Sequence, residues 1–203
     1  MKDISNYKKV GIRVASLYKE PSFKSELVTQ ALLSEQLLII DKNNDWYKVK
    51  QWDNYESWIH SFYLCSKQKN IYDKSIKCNT KNLLTTAKSF LNVPYLWGGK
   101  SKLGFDCSGL IQTVYKKLGV DLPRDSSEQI KSKNLIENKY SNIQIGDLLF
   151  FSNNTTINHV AIYFGNGEII HASGRVKIEK LENNIKLFNT LHKIFSVRDM
   201  VWD

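Results

Sequence analysis

The chain has 203 residues, of which 42% are hydrophobic, 24% charged and 12% aromatic. That length accommodates one large domain or two small ones, and the composition excludes a disordered chain. Ten Gly and three Pro exclude collagen-like and Pro-rich material, and no run approaches the ~18 apolar residues of a membrane-crossing helix. The formal charge of +9 comes from lysines spread over the whole length, with short pairs such as Lys8-Lys9 and Lys116-Lys117 but no basic block. Neither a nucleic acid nor a membrane is therefore an expected partner.

The amino-terminal stretch MKDISNYKKVGIRVASLYKEPS contains no apolar h-region and no twin-Arg pair, so the expected location is cytoplasmic. Cys65, Cys78 and Cys107 are an odd number at wide spacing, which fits no disulfide framework and agrees with a reducing compartment. The close CxxC or HExxH pairs of zinc sites do not occur, so neither a metal nor an organic cofactor is expected.

Residues 10 to 66 read as a run of short strands: VGIRVASLY, ELVTQALL, EQLLIID, WYKVKQW and YESWIHSFYL, with turn material such as Lys19-Glu20-Pro21-Ser22 and Lys42-Asn43-Asn44-Asp45 between them. Breaks about every ten residues suggest a small barrel or sandwich over residues 1–66, with Trp46, Trp52 and Trp58 in its core. A polar linker follows over 67–79. From residue 80 the texture changes. Leu83, Leu84, Ala87, Phe90 and Leu91 have helical spacing in NLLTTAKSFLN, which must stop near Pro94, and Leu110, Ile111, Val114, Tyr115 and Leu118 repeat it from Cys107 to Leu118. Strand-like GDLLFF, HVAIYFGNGEIIHAS and IFSVRDMVW come afterwards, so residues 80–203 read as an α+β domain on an antiparallel sheet.

The stretch GFDCSGLIQTVYKKLG puts Cys107 at the opening of a predicted helix. Unpaired backbone N–H groups and the positive end of the helix dipole stabilise a thiolate there and lower its pKa from about 8.5. The position suits either a nucleophile or a buried structural cysteine. Of four histidines, His159 and His171 flank the turn Gly165-Asn166-Gly167. If those three residues form the loop of a hairpin, residue 161 faces 171 and 159 faces 173, and the two imidazoles are diagonal neighbours on one face. A two-residue loop instead places them on opposite faces. In the first register one imidazole is a base for Cys107 and the other orients it. His60 and His192 have no such context.

The stretches PYLWGGKSKLGFDCSGLIQ, LPRDSSEQ, IGDLLFF, HVAIYFGNG and IIHASG, in that order from Val93 to Gly174, resemble the NlpC-type cell-wall cysteine endopeptidases. The resemblance implies a papain-like α+β fold with Cys107 as nucleophile, His159 as general base and His171 as orienting group. LYKEPSFKSELVTQALLSEQ, DWYKV and YESWI resemble a bacterial SH3-like domain. Together they resemble the subgroup that cleaves γ-D-glutamyl-diamino-acid bonds of murein peptides with a free amino-terminal L-alanine. That subgroup implies that Tyr55 and Asp125 hold the peptide's ammonium and that Tyr95 and Trp97 wall the site. The Tyr95 hydroxyl or the Cys107 N–H then serves the oxyanion, Asp106 and Ser108 contact the D-glutamyl portion, and Arg124 and Ser126 complete the PRDS stretch.

The absence of an export signal and the single SH3-like module favour recycling of released murein peptides, with diaminopimelate or lysine as third residue, over wall remodelling. A secreted or phage-type hydrolase of intact peptidoglycan is the alternative, and a non-enzymatic wall-binding module is another. The positive charge then suits a substrate with several carboxylates.

Overall fold

A computed structural model describes residues 6–65, 75–198 and 200. Most of the expected linker, residues 67–74, lies outside them.

Strands β1 (Tyr7–Val10), β2 (Val14–Tyr18), β3 (Leu27–Leu32), β4 (Gln36–Asn43), β5 (Trp46–Lys50), β6 (Glu56–His60) and β7 (Leu64–Cys65) form one sheet in the order β3-β2-β6-β5-β4-β1-β7. Every pairing is antiparallel. The expected strand VGIRVASLY is split at Gly11, whose N–H donates to Tyr63 O at 2.7 Å, so that β1 pairs with β4 and β7 while β2 pairs with β3 and β6. The core is Val10, Ala15, Leu17, Ala31, Leu37, Val49 and Ile59. Of the three tryptophans, Trp46 is buried as expected, beside this cluster, whereas Trp52 and Trp58 are half-buried. Trp46 lies edge-on to Tyr18 and His60 in a separate aromatic group, Trp58 is half-buried opposite Tyr18, and Trp52 lies under Lys116 with Nζ 3.8 Å from the ring centroid. His60 Nδ1 accepts from Phe62 N at 3.4 Å, and His192 is exposed.

The second region contains α1 (Thr80–Lys88), the short strands β8 (Lys100–Ser101) and β9 (Gly104–Phe105), α2 (Cys107–Lys117) and α3 (Ser126–Gln129). These precede β10 (Leu135–Asn138), β11 (Leu148–Asn153), β12 (Thr156–Gly165), β13 (Glu168–Ser173), β14 (Arg175–Lys180), α4 (Ile185–Phe188) and β15 (Leu191–Val197). The six longer strands form an antiparallel sheet, β10-β15-β11-β12-β13-β14. Alternation along β11 sends Leu148 and Phe150 into a core with Leu83, Leu110, Ile111 and Val114 of the helices, and Leu149 and Phe151 into a smaller cluster on the other face. Helix α1 starts under the Asn79 side chain, which accepts from Asn82 N at 2.9 Å. It ends earlier than its apolar spacing suggests, because Ser89 Oγ bonds the Thr86 carbonyl and Asn92 turns left-handed at φ 66°.

The hairpin of the two histidines differs from expectation in its loop and agrees in its register. The loop has two residues, Asn166 and Gly167, with φ of 53° and 75°, between the paired Gly165 and Glu168. A register shift between Tyr163 and Gly165 makes Phe164 an extra residue. This bulge cancels the face reversal of a two-residue loop and restores Ile162 opposite Ile170 and Tyr163 opposite Ile169. Continuing that register sets Ala161 against His171.

Buried polar groups join the regions. Thr29 Oγ1 accepts from Arg124 Nε at 3.1 Å, Gln30 Oε1 from Lys100 N at 3.0 Å, and Asp53 Oδ2 from Gln112 Nε2 at 2.7 Å. Next to this seam the start of α2 packs on the loop before β8. A Cβ at Gly109 would stand 2.1 Å from Gly99 O, a backbone atom that cannot move aside alone. Gly109→Ala is expected to cost about 1–3 kcal/mol in a denaturant titration, with unchanged stability excluding this close approach.

Candidate active site

Asp106 occupies the N-cap of α2, and its Oδ1 accepts from Gly109 N at 2.6 Å and its Oδ2 from Gly98 N at 2.9 Å. The guanidinium of Arg124, only 2% exposed, meets the same carboxylate through Nη1 at 3.0 Å and through Nη2. Ser108 Oγ accepts from Arg124 Nη1 at 3.0 Å. Of the three residues expected as substrate contacts, Asp106 and Ser108 line the cleft and are bonded to each other and to Arg124, which is not among the lining residues. A buried ion pair with every lone pair engaged is a rigid support for the residue between its members.

That residue is Cys107, buried at the mouth of α2. Its thiol lies by the backbone N–H groups of Ser108 and of Val160, the residue after His159 on β12. Burial, and then the Asp106 charge, push the thiol up to about 11, outweighing those N–H groups and Arg124. The lowered pKa expected from the helix terminus is thus overridden by desolvation. Burial likewise lowers His159 to about 3, with His171 adding to the effect. His159 Nε2 and His171 Nδ1 are 2.8 Å apart, and His159 also packs on Phe151, their ring centroids 5.7 Å apart. Burial thus favours the uncharged form of each group taken singly.

A cleft of about 550 Å³ opens beside Cys107, with walls from both regions. Of the residues singled out in the sequence, it brings together Tyr55, Tyr95, Trp97, Asp106, Cys107, Ser108, Asp125 and Ser126. His159, His171 and Arg124 are not among its lining residues. Tyr95 is fixed by its N–H to Gly174 O at 2.9 Å, and its phenol is pushed up to about 12 by burial first and by nearby Cys107 next. Asp125 stands at the N-cap of α3 without capping it, which leaves its carboxylate to the Tyr55 hydroxyl. Burial raises Asp125 above the usual carboxylate range. Tyr55 is pushed up to about 12 by burial first, then by the charge of Asp125 and more weakly by Glu26 and Asp53, against Arg124, which lowers it.

Glu26 escaped the sequence reading. It comes from the first region, accepts from Trp97 Nε1 at 2.8 Å and lies 3.6 Å from Lys19. No local motif marks it, since its place depends on how the two regions meet. With Glu56, Asp106 and Asp125 it places carboxylates in the wall beside Lys19, where Arg124 balances Asp106 and Lys48 and Lys50 meet Glu56. Of the Lys and Arg residues behind the net charge of +9, only Lys19 is among the residues that line the cleft. Among the described residues no group of three or more His, Cys, Asp or Glu is placed to hold a metal.

The NlpC/P60 family matches residues 92–193, which span Cys107, His159 and His171. The chain belongs to the NlpC/P60 family. The bacterial dipeptidyl-peptidase SH3 domain matches residues 17–62. The chain is 33% identical over 165 residues to the gamma-D-glutamyl-L-lysine dipeptidyl-peptidase of Bacillus cereus, covering 78% of this chain and 47% of that protein. It is 30% identical over 188 residues to dipeptidyl-peptidase 6 of Lysinibacillus sphaericus, covering 88% and 66%. It thus spans less than two thirds of either relative. The crystal structure of an NlpC/P60 family protein from Bacillus cereus superposes with a TM-score of 0.57 at 27% identity, over 97% of this chain and 65% of that one. The architecture is thereby an SH3-like β region followed by the NlpC/P60 papain-like α+β domain.

If His159 takes the thiol proton, His159→Gln leaves Cys107 to ionise without a base, against the burial that raises its pKa. Its alkylation by iodoacetamide at neutral pH is then expected to slow about tenfold or more and to climb with pH. An unchanged rate removes His159 from that role.

Proposed function

We propose that this NlpC/P60 protein is a cysteine peptidase hydrolysing the bond between γ-D-glutamate and a diamino acid, diaminopimelate or L-lysine, in short murein peptides with a free amino-terminal L-alanine. The observation that carries this reading is the acidic end of the cleft, where Tyr55 is bonded to Asp125 with Glu26 and Asp53 nearby. A peptide ammonium is the cation that such a site accommodates, through a charge-assisted hydrogen bond to a partly desolvated carboxylate. An acylated or glycan-linked stem offers a neutral amide and extra bulk there, so the substrate is a released peptide, as in recycling, rather than intact wall. The similarity to the gamma-D-glutamyl-L-lysine dipeptidyl-peptidase of Bacillus cereus supports the same bond class.

In the reaction, the Cys107 S–H proton passes to His159 and the thiolate attacks the γ-carbonyl carbon. The Tyr95 hydroxyl, kept protonated by its raised pKa, or the Cys107 N–H faces the developing oxyanion. The His159 imidazolium protonates the leaving amine as the C–N bond breaks. Water, deprotonated by the same imidazole, then releases the acyl group and restores the thiol.

L-Ala-γ-D-Glu-L-Lys is the direct substrate to try. Cys107→Ala is expected to abolish its hydrolysis with the fold intact by circular dichroism, and residual turnover at the parent rate ends the proposal. Asp125→Asn is expected to raise KM about 10–100-fold, the loss of one charge-assisted contact, and to narrow the preference over the N-acetyl peptide. Equal rates for the free and N-acetyl peptides with the parent enzyme refute the ammonium site. Because Asp125 titrates above the usual carboxylate range, affinity for the free peptide is expected to fall with pH as that carboxylate is protonated, earlier than an exposed Asp would allow.

A further inference from the structure

One proton lies between His159 Nε2 and His171 Nδ1 at 2.8 Å, and either ring can hold it. Only one arrangement leaves His159 able to act as a base. If His171 donates from Nδ1, His159 Nε2 accepts and its own proton sits on Nδ1. If His159 donates from Nε2, its Nδ1 is bare and can take a proton from a thiol. What decides between them is the far nitrogen of His171.

That nitrogen, Nε2, is enclosed in a residue only 1% exposed. Glu179 Oε1 lies 3.1 Å from it, off the ideal hydrogen-bond line, and among the described residues no other acceptor reaches it. Glu179 belongs to β14, where Lys177 is opposite His171 and Glu179 opposite Ile169, so it meets His171 as a diagonal cross-strand neighbour. Its carboxylate is itself held in place. Asn184 Nδ2 donates to Oε1 at 2.9 Å, and Lys177 Nζ stands 2.7 Å from Oε2. Burial works against its ionisation, but the bonds from Lys177 and Asn184 and the presence of His171 outweigh it, so its pKa lies below the ordinary value. An ionised carboxylate only accepts.

We propose that Glu179 is a positioning residue that fixes the tautomers of both imidazoles, holding the His171 proton on Nε2 and so leaving His159 with Nδ1 bare. The sequence of protons is then complete. Glu179 accepts from His171 Nε2–H, His171 Nδ1 accepts from His159 Nε2–H, and His159 Nδ1 receives the proton released by the Cys107 thiol. The charges that bear on the pair are Glu179, which favours the imidazolium, and Lys177, which opposes it. Glu179 thus also offsets the positive charge created in the reaction, with Lys177 moderating the effect. This role deepens the peptidase reading but depends on it for its kinetic arm only.

Nitrogen-15 NMR of histidine-labelled protein reads the tautomers without any substrate, and four histidines keep the spectrum assignable. In the parent protein His171 is expected as the Nε2–H tautomer. In Glu179→Ala it should redistribute toward Nδ1–H, and iodoacetamide alkylation of Cys107 at neutral pH should slow. With L-Ala-γ-D-Glu-L-Lys, kcat should fall about 10–100-fold while KM stays within about twofold, as for loss of a partner that orients a catalytic ring. An Nδ1–H tautomer in the parent protein, or an unchanged Nε2–H tautomer in Glu179→Ala, overturns the proposal. The parent spectrum alone decides the matter if the variant does not fold. Expected tautomers together with no hydrolysis by the parent protein would instead count against the substrate reading and leave this one standing.

Discussion

The carboxylate of Asp106 holds more of this molecule in place than any other single group. It caps the helix that opens with Cys107, fixes the Gly98 backbone in the cleft wall, and neutralises Arg124. Arg124 in turn reaches Thr29 in the first region and is followed directly by Asp125, which meets Tyr55. One buried ion pair therefore sets the nucleophile, one wall, the seam between the regions and the acidic end of the cleft. Removing either member would leave an uncompensated charge in the interior, a penalty of about 3–5 kcal/mol. The pair also has an electrostatic cost for the chemistry, because the Asp106 charge opposes ionisation of its neighbour Cys107.

The histidines balance that cost from the other side. Burial alone would keep His159 and His171 neutral, and burial plus Asp106 would keep the thiol protonated. A low-dielectric site of this kind resists a lone charge but strengthens the attraction between two opposite ones. In the proposed mechanism a thiolate–imidazolium pair is thus favoured over either charge alone. Its stability depends on geometry that the sheet provides: a bulge at Phe164 keeps both imidazoles on one face, and Glu179 lies one diagonal step beyond.

Much of this was legible in the sequence because it rests on local pattern. The helix opening at Cys107 follows from the apolar spacing of Leu110 to Leu118, and the hairpin register follows once the loop is taken as Gly165-Asn166-Gly167. The loop itself was not legible: a three-residue loop and a two-residue loop with a bulge give the same register, and periodicity cannot tell them apart. Arg124 reads as a binding residue in a PRDS stretch, and only the tertiary arrangement shows it buried against Asp106. The tryptophans of the first region read as core by type. Trp52 instead lies under Lys116 at the seam, where its value depends on a partner 64 positions away. Glu26 and Glu179 share this character, since nothing in their own segments distinguishes them from surface glutamates.

The placement of Glu26, Tyr55 and Asp53 has a consequence for how selectivity is built. The NlpC/P60 domain supplies the nucleophile, Tyr95, Trp97 and Asp125, whereas three of the four groups that surround the proposed ammonium position come from the SH3-like region. Neither region alone has a complete cleft. The contacts that join them, Lys100 to Gln30, Gln112 to Asp53 and Arg124 to Thr29, are short, directional and mostly buried. Such bonds fix relative position more tightly than apolar packing of equal area, because a small shift leaves donors and acceptors unpaired. Gln112 and Asp53 make the point directly: the bond that anchors α2 to the first region uses one of the carboxylates that charge the end of the cleft. Under the proposed reading, binding specificity and the cohesion of the two regions therefore draw on the same side chains, because Asp53 serves the seam and the charge near Tyr55 at once.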